Sequence, residues 1–360
     1  MSLINLVIKI YLSKKNYILS IFFLIMSILV SFVILYLERK FLNISSTFHP
    51  DTSHYLKYYK LYKTLSFDYS FILNIKNYFI HFFSNSLFYS IVNLFHELEK
   101  INPFSSPYRN IVKFNMLIYA ITNALILFFY LKENKEINYL KLFGILFFCF
   151  LPYKLHLSVS VLKETLLIFF LSIYVIFPGK LSLIISFFFG TPLRSSFGMY
   201  YLVLIDFNKN FFKKNYLIIL LLVCACIIIF IKQVYLSNFE GIFEYIESRN
   251  LANMGGREFD RVPKFNEFGL IGSLFRMLIW PILFLTGGFI FFSDNIFMFI
   301  IGIEVITLQI LMFAVKRKLL ISFGILIFLI LVALYVNTYS SFLRYSYLGL
   351  NVLFLKNFIK

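Results

Sequence analysis

The residues in this chain that could do chemistry are charged groups set against apolar sequence. In the stretch 158–201, Lys163-Glu164 opens an apolar run, and Arg194 follows Gly190-Thr191-Pro192 between two apolar segments. Ionisable groups beside hydrocarbon are costly and mark a function or a partner. Asp51 stands in His49-Pro50-Asp51-Thr52-Ser53-His54-Tyr55. A carboxylate there could be a general base, or a loop cap, because Asp before Thr and Ser is ordinary turn chemistry. His49 and His54 flank it. No second ligand cluster accompanies them, so no metal site is expected, and His54 is a candidate substrate contact. Arg249, Arg257 and Arg261 lie in a loop, SRNLANMGGREFDRVP, where Gly255-Gly256 would let backbone approach a ligand closely. Glu247, Glu258 and Asp260 offer these arginines ion partners instead. Arg344-Tyr345 opens the last apolar run, as a site or as an interfacial anchor.

Each of these groups has a structural alternative. Lys163 and Glu164 diverge by about 100° on a helix, so they do not pair with one another and each needs a partner from another helix. Glu164 is a candidate catalytic carboxylate and Lys163 a candidate substrate contact. Arg194 could pair with Glu164, or clamp a diphosphate through its planar fork. No P-loop, dinucleotide fingerprint, zinc spacing or nucleophile elbow occurs, so ATP-driven chemistry in this chain is not expected, and neither is a cofactor.

The elements that must position these groups are apolar. The chain has 360 residues, is 60% hydrophobic and only 14% charged, and has a mean hydropathy of +0.83. Several continuous runs reach the roughly 20 residues that cross a bilayer. The composition predicts an all-α, polytopic transmembrane bundle rather than a barrel, whose strands would alternate. The net charge of +17 is read as helix-end lysine, not as nucleic-acid binding. Cys149, Cys224 and Cys226 all fall in apolar runs and are expected to be core thiols without a disulfide. The first apolar run is too long for a signal peptide and lacks a small-residue cleavage site, so it is expected to stay as an anchor. Heavy use of Phe, Lys, Ile, Asn and Tyr suggests an AT-rich, bacterial coding region.

The pattern predicts a single integral membrane domain over 1–360. Full spans are expected near 17–37, 111–131, 139–157, 161–177, 216–231, 296–315, 319–336 and 344–360. That makes about eight, with broken or re-entrant hairpins at 181–206 and 270–292. The first hairpin breaks at Gly190-Thr191-Pro192, the second at Trp280-Pro281 and Gly287-Gly288. With the N-terminus inside, this places each short lysine cluster in the cytoplasm. It leaves two external loops, 38–110 with interfacial helices and 235–268. Lysines outnumber arginines 25 to 9 (34 − 9 = 25). Only Arg317 then falls inside, which is the reverse of the usual charge bias. An external need for guanidinium would explain it, and phosphate is the obvious ligand.

Together these residues resemble a known family. A Pro-Asp loop after the first span, a Ser-x-x-Lys-Glu span start, an intramembrane Arg, a Gly-containing external loop and a terminal Arg-Tyr are similar to the Wzy-type O-antigen or capsule repeat-unit polymerases. These belong within the wider class of membrane glycosyltransferases that use lipid-linked sugars. The resemblance implies transfer of a glycan from undecaprenyl diphosphate to another lipid-linked repeat unit. The reaction would run at the outer face of the bacterial inner membrane, with a chain-length regulator as a protein partner. It implies Asp51 as base and Arg194 and Arg344 as diphosphate ligands, with Tyr345 beside them; Arg249 and Arg257 match more loosely. A lipid-linked oligosaccharide flippase is the competing reading and a structural scaffold the third. A flippase would show internal repetition, which is not evident here, and a scaffold would not need the arginine bias.

Overall fold

The computed structural model describes residues 3–43, 107–133, 138–205, 211–230, 269–292, 296–316, 322–336 and 339–359, with short helical pieces between 87 and 96. Among these residues the chain is helical throughout and has no strand. The described residues fall into two compact units.

The first unit holds α1 (Leu3–Phe41), α2 (Pro107–Glu133), α3 (Tyr139–Cys149), α4 (Pro152–Ser158), α5 (Glu164–Ile176) and most of α6 (Lys180–Gly190). α2 is its centre and packs against α1, α3, α4 and α5. The helix α1 is arranged opposite to a helix of a water-soluble protein. Among its described side chains Ser20, Phe23, Ser27, Ser31 and Glu38 are buried, while Ile18, Ile21, Phe22, Leu29, Val33 and Tyr36 face outward. Hydrocarbon solvates such an outer face, and small hydroxyl residues let helix backbones approach closely inside.

The sequence reading treats 139–157 as one span, but the chain bends there by 41° between α3 and α4. Pro152 supplies the reason. Its ring excludes the helical amide bond across Phe150-Leu151, yet its fixed φ suits the first position of α4.

The second unit holds a 3₁₀ segment (Ser195–Leu204), α7 (Phe211–Phe230), α8 (Gly269–Thr286), a short 3₁₀ turn (Gly288–Phe292), α9 (Ile296–Lys316), α10 (Phe323–Tyr335) and nearly all of α11 (Tyr339–Ile359). The long 3₁₀ segment packs against α7 and α10, and α8 packs against α9 and α10. The break expected at Gly190-Thr191-Pro192 is present, because α6 stops at Gly190 and the 3₁₀ segment starts at Ser195. The Phe197 ring lies against Gly190 so closely that any Cβ there would collide with it.

The region 270–292 differs from expectation in one respect. Its break falls at Gly287, whose φ of +68° favours glycine. Trp280-Pro281 does not interrupt α8. The proline forfeits one helical hydrogen bond, but rings on both sides of it hold the same neighbour. Trp280 and Phe284 lie 5.4 Å and 6.1 Å from Phe342 of α11.

Among the described residues, three helical stretches are long and apolar enough to cross a membrane: Asn16–Phe41, Arg109–Glu133 and Ile296–Val315. The bent pair α3–α4 makes a fourth if it counts as one span. The other apolar helices among the described residues are shorter. Length and composition are thus compatible with a membrane protein.

Candidate functional site

In the second unit the chain brings together two residues that sequence reasoning selects separately. The ζ carbon of Arg194 lies 3.9 Å from the centroid of the Tyr345 ring. Arg194 precedes the 3₁₀ segment in extended conformation, with φ −156° and ψ 116°. Tyr345 lies in the second turn of α11, 151 positions later (345 − 194). Arg194 is 3% exposed. A guanidinium at that depth is held at a high desolvation cost, which its environment must offset.

The local backbone explains the geometry. Runs of 3₁₀ helix longer than about four residues are uncommon, and this one has ten. Three residues per turn put Arg194, Phe197 and Tyr200 on one edge. Arg194 donates from Nη1 to the Tyr200 hydroxyl at 3.4 Å. Tyr200 in turn rests on Phe328 of α10, with centroids 5.2 Å apart, and on Phe197 at 6.1 Å. Lys356 of α11 donates to the carbonyl of Leu204 at 2.8 Å and ties the far end of the segment to the same helix. One ring stacks on the guanidinium and a phenol meets its edge, so its plane is fixed. A planar, bidentate ligand needs that preorganisation.

The first unit carries a second polar constellation, which sequence reasoning missed. Glu38 accepts or shares a proton with His156 Nδ1 at 2.8 Å, and both residues are buried. Lys154, 1% exposed, donates to Asn123 Oδ1 at 3.2 Å and lies over the Phe148 ring at 4.1 Å. Asn123 donates to the Ser27 hydroxyl and to the Cys149 carbonyl, each at 3.3 Å. The Tyr119 hydroxyl also donates to the Cys149 carbonyl. That carbonyl, at the α3–α4 bend, is thereby satisfied twice. Asn115 donates to the carbonyls of Ser160 and Leu162 at 2.8 and 3.0 Å. Tyr119, Thr122, Lys154, Thr165 and Ile168 line a narrow crevice beside this cluster. The signal was present in Pro152-Tyr153-Lys154-Leu155-His156, two ionisable residues inside an apolar run.

The predicted residues distribute as follows. Lys163 caps α5 and Glu164 is its first residue, completely buried, in the first unit. A carboxylate at that position is favoured by the helix dipole. Arg194, Arg344 and Tyr345 lie in the second unit, and Arg344 is half-buried. Asp51, His54, Arg249 and Arg257 lie outside the described residues, as do the greater part of 38–110 and the whole of 235–268. No family model, curated protein or solved structure matches this chain.

Proposed function

We propose that the chain polymerises undecaprenyl-diphosphate-linked oligosaccharide repeat units, O-antigen or capsule, at the outer face of the bacterial inner membrane. The observation that carries this reading is the buried Arg194 stacked on Tyr345. Arg194 was selected from sequence as a diphosphate ligand and Tyr345 as a substrate contact, and their contact supports treating them as one site. The topology that goes with this reading has about eight spans, with hairpins at 181–206 and 270–292 and external loops at 38–110 and 235–268.

In this reaction a hydroxyl of the acceptor repeat unit attacks the anomeric carbon of the donor glycan. A new glycosidic bond forms, and the bond from that carbon to the diphosphate oxygen breaks. Undecaprenyl diphosphate leaves with the bonding electrons, and the hydroxyl proton passes to a carboxylate, for which Asp51 is the candidate and Glu164 the other. Arg194 and Arg344 stabilise charge developing on the leaving diphosphate, the kind of electrostatic contribution that dominates many enzymes. Lys163, His54, Arg249 and Arg257 are candidate contacts for the glycans. A chain-length regulator is the protein partner that the family resemblance implies.

The test is deletion of the gene in its native host. Loss of polymerisation leaves surface lipid capped by a single repeat unit, without a ladder of longer chains. A flippase deletion instead removes even the single unit and traps intermediates inside. That second phenotype would replace the polymerase reading with transport.

A further inference from the structure

The short loop that carries Arg194 closes on itself. The Phe197 ring lies against Gly190. The Arg194 amide donates to the Gly190 carbonyl at 3.0 Å, and the Phe197 amide donates to the Arg194 carbonyl at 2.8 Å. Residues 191–196 are thus a compact turn whose two ends touch. Thr191, Arg194 and Ser196 within it are all buried. Arg194 meets Tyr345 and Tyr200. Thr191 Oγ1 and Ser196 Oγ make no hydrogen bond among the described residues. Other hydroxyls of the chain are placed differently. Ser31, Thr122, Ser160, Thr286 and Thr307 each donate to the carbonyl four residues earlier, at 2.7 to 2.9 Å. That is how a helix satisfies a hydroxyl within itself. A buried hydroxyl with no partner keeps its desolvation cost uncompensated. Two of them in one six-residue turn, on either side of a buried guanidinium, mark a place built to meet polar groups from outside the chain.

We propose that Thr191 and Ser196 form a sugar subsite, which reads the first sugar joined to the phosphate that Arg194 holds. The inference rests on the reading of Arg194 as a phosphate-binding residue. In a glycosyl diphosphate the anomeric carbon is bonded to a phosphate oxygen, so the hydroxyl or amide on the next ring carbon lies beside that phosphate. A phosphate only accepts hydrogen bonds, and the Arg194 fork supplies donors for it. A serine or threonine hydroxyl both donates and accepts, the same pair of roles that a sugar hydroxyl offers in return. A site that hydrogen-bonds a substrate hydroxyl also discriminates against a ligand that lacks it. The two hydroxyls therefore set which first sugar is taken, while Arg194 holds the leaving group.

The experiment uses the purified full chain in micelles of a sugar-free detergent. The probes are radiolabelled farnesyl diphosphate and the same lipid diphosphate joined to glucose, galactose or N-acetylglucosamine. Binding gives the affinities, and a thermal-unfolding scan without ligand gives the stability. At least one sugar-bearing probe should bind about tenfold more tightly than farnesyl diphosphate, the size of one further hydrogen bond in a desolvated site. Thr191→Val and Ser196→Ala should each reduce that preference and leave farnesyl diphosphate binding unchanged. Arg194→Lys should weaken every probe. Thr191→Val should also unfold at the same or a higher temperature without ligand, because it removes a buried hydroxyl that nothing in the turn satisfies; a lower temperature would make that hydroxyl structural and overturn its role. Equal wild-type affinity for the bare and every sugar-bearing probe would overturn the subsite and leave the Arg194 reading standing. Full preference retained by both hydroxyl variants would do the same. Equal weakening of all probes by Thr191→Val would place the hydroxyl on the phosphate and overturn the sugar assignment. Binding of no probe would remove the phosphate role of Arg194, and the subsite with it. If a variant fails to accumulate, the wild-type comparison between probes decides.

Discussion

At the scale of single residues, charge and shape can be separated by substitution. Tyr345 serves Arg194 through its ring, so Tyr345→Phe should keep near-normal polymer length in a glycan ladder. Tyr345→Ala removes the stack, worth about 2 kcal/mol when desolvated, and should shorten or abolish the ladder at equal protein level. Equal ladders from both variants would mean that the ring does not position the guanidinium. The Glu38–His156 pair is judged differently, by stability. His156→Ala leaves a buried carboxylate without its imidazole partner and should cost about 2 kcal/mol, read as a lower midpoint of thermal unfolding in detergent. His156→Gln, which can still donate to Glu38, should recover part of the loss. Arg194 was legible in sequence because an isolated arginine beside a Gly-Thr-Pro break is rare in a lysine-rich chain. Tyr200 was not legible, because its place beside Arg194 depends on a period of three. The apolar run gives no sign of 3₁₀ rather than α-helical winding.

At the scale of elements, breaks were easier to read than bends. Gly190 and Gly287 announced themselves as glycines in apolar runs, and each is required by a physical constraint. At Gly190 a Cβ would meet the Phe197 ring, and at Gly287 the backbone has a φ of +68°. Gly287→Ala should destabilise by about 1 kcal/mol or more through the left-handed strain. Gly190→Ala should displace Phe197 and, through the 3₁₀ edge, Arg194. Gly190→Ala should therefore lower polymerisation more than Gly287→Ala at matched thermal stability. An equal loss in both would detach Phe197 from the site. Trp280-Pro281 misled because local chemistry says that proline stops a helix. The rings of Trp280 and Phe284 on Phe342 outweigh one missing hydrogen bond, and contacts of that kind are invisible in a linear reading. The α3–α4 bend was hidden for a related reason: hydropathy is continuous across Pro152, and what stabilises the kink is side-chain donation from Tyr119 and Asn123 to one carbonyl.

At the scale of the whole molecule, the helical class followed directly from composition. Polar residues turned inward are what that composition needs in hydrocarbon, and α1 shows them in its buried serines and Glu38. The proposed topology assigns both chain ends and residues 206–215 to the cytoplasm. It predicts that a single cysteine at position 210, in a cysteine-free background, is not labelled by an impermeant maleimide from outside. Strong external labelling there would remove the 181–206 hairpin. Arg194 is proposed to bind a diphosphate rather than only to hold helices together. That role is tested most directly by the glycan ladder of Arg194→Lys, normalised to protein in the membrane. Lysine keeps the charge and loses the fork, so Arg194→Lys should reach a normal protein level with most polymerisation lost. A near-normal ladder from Arg194→Lys would contradict it.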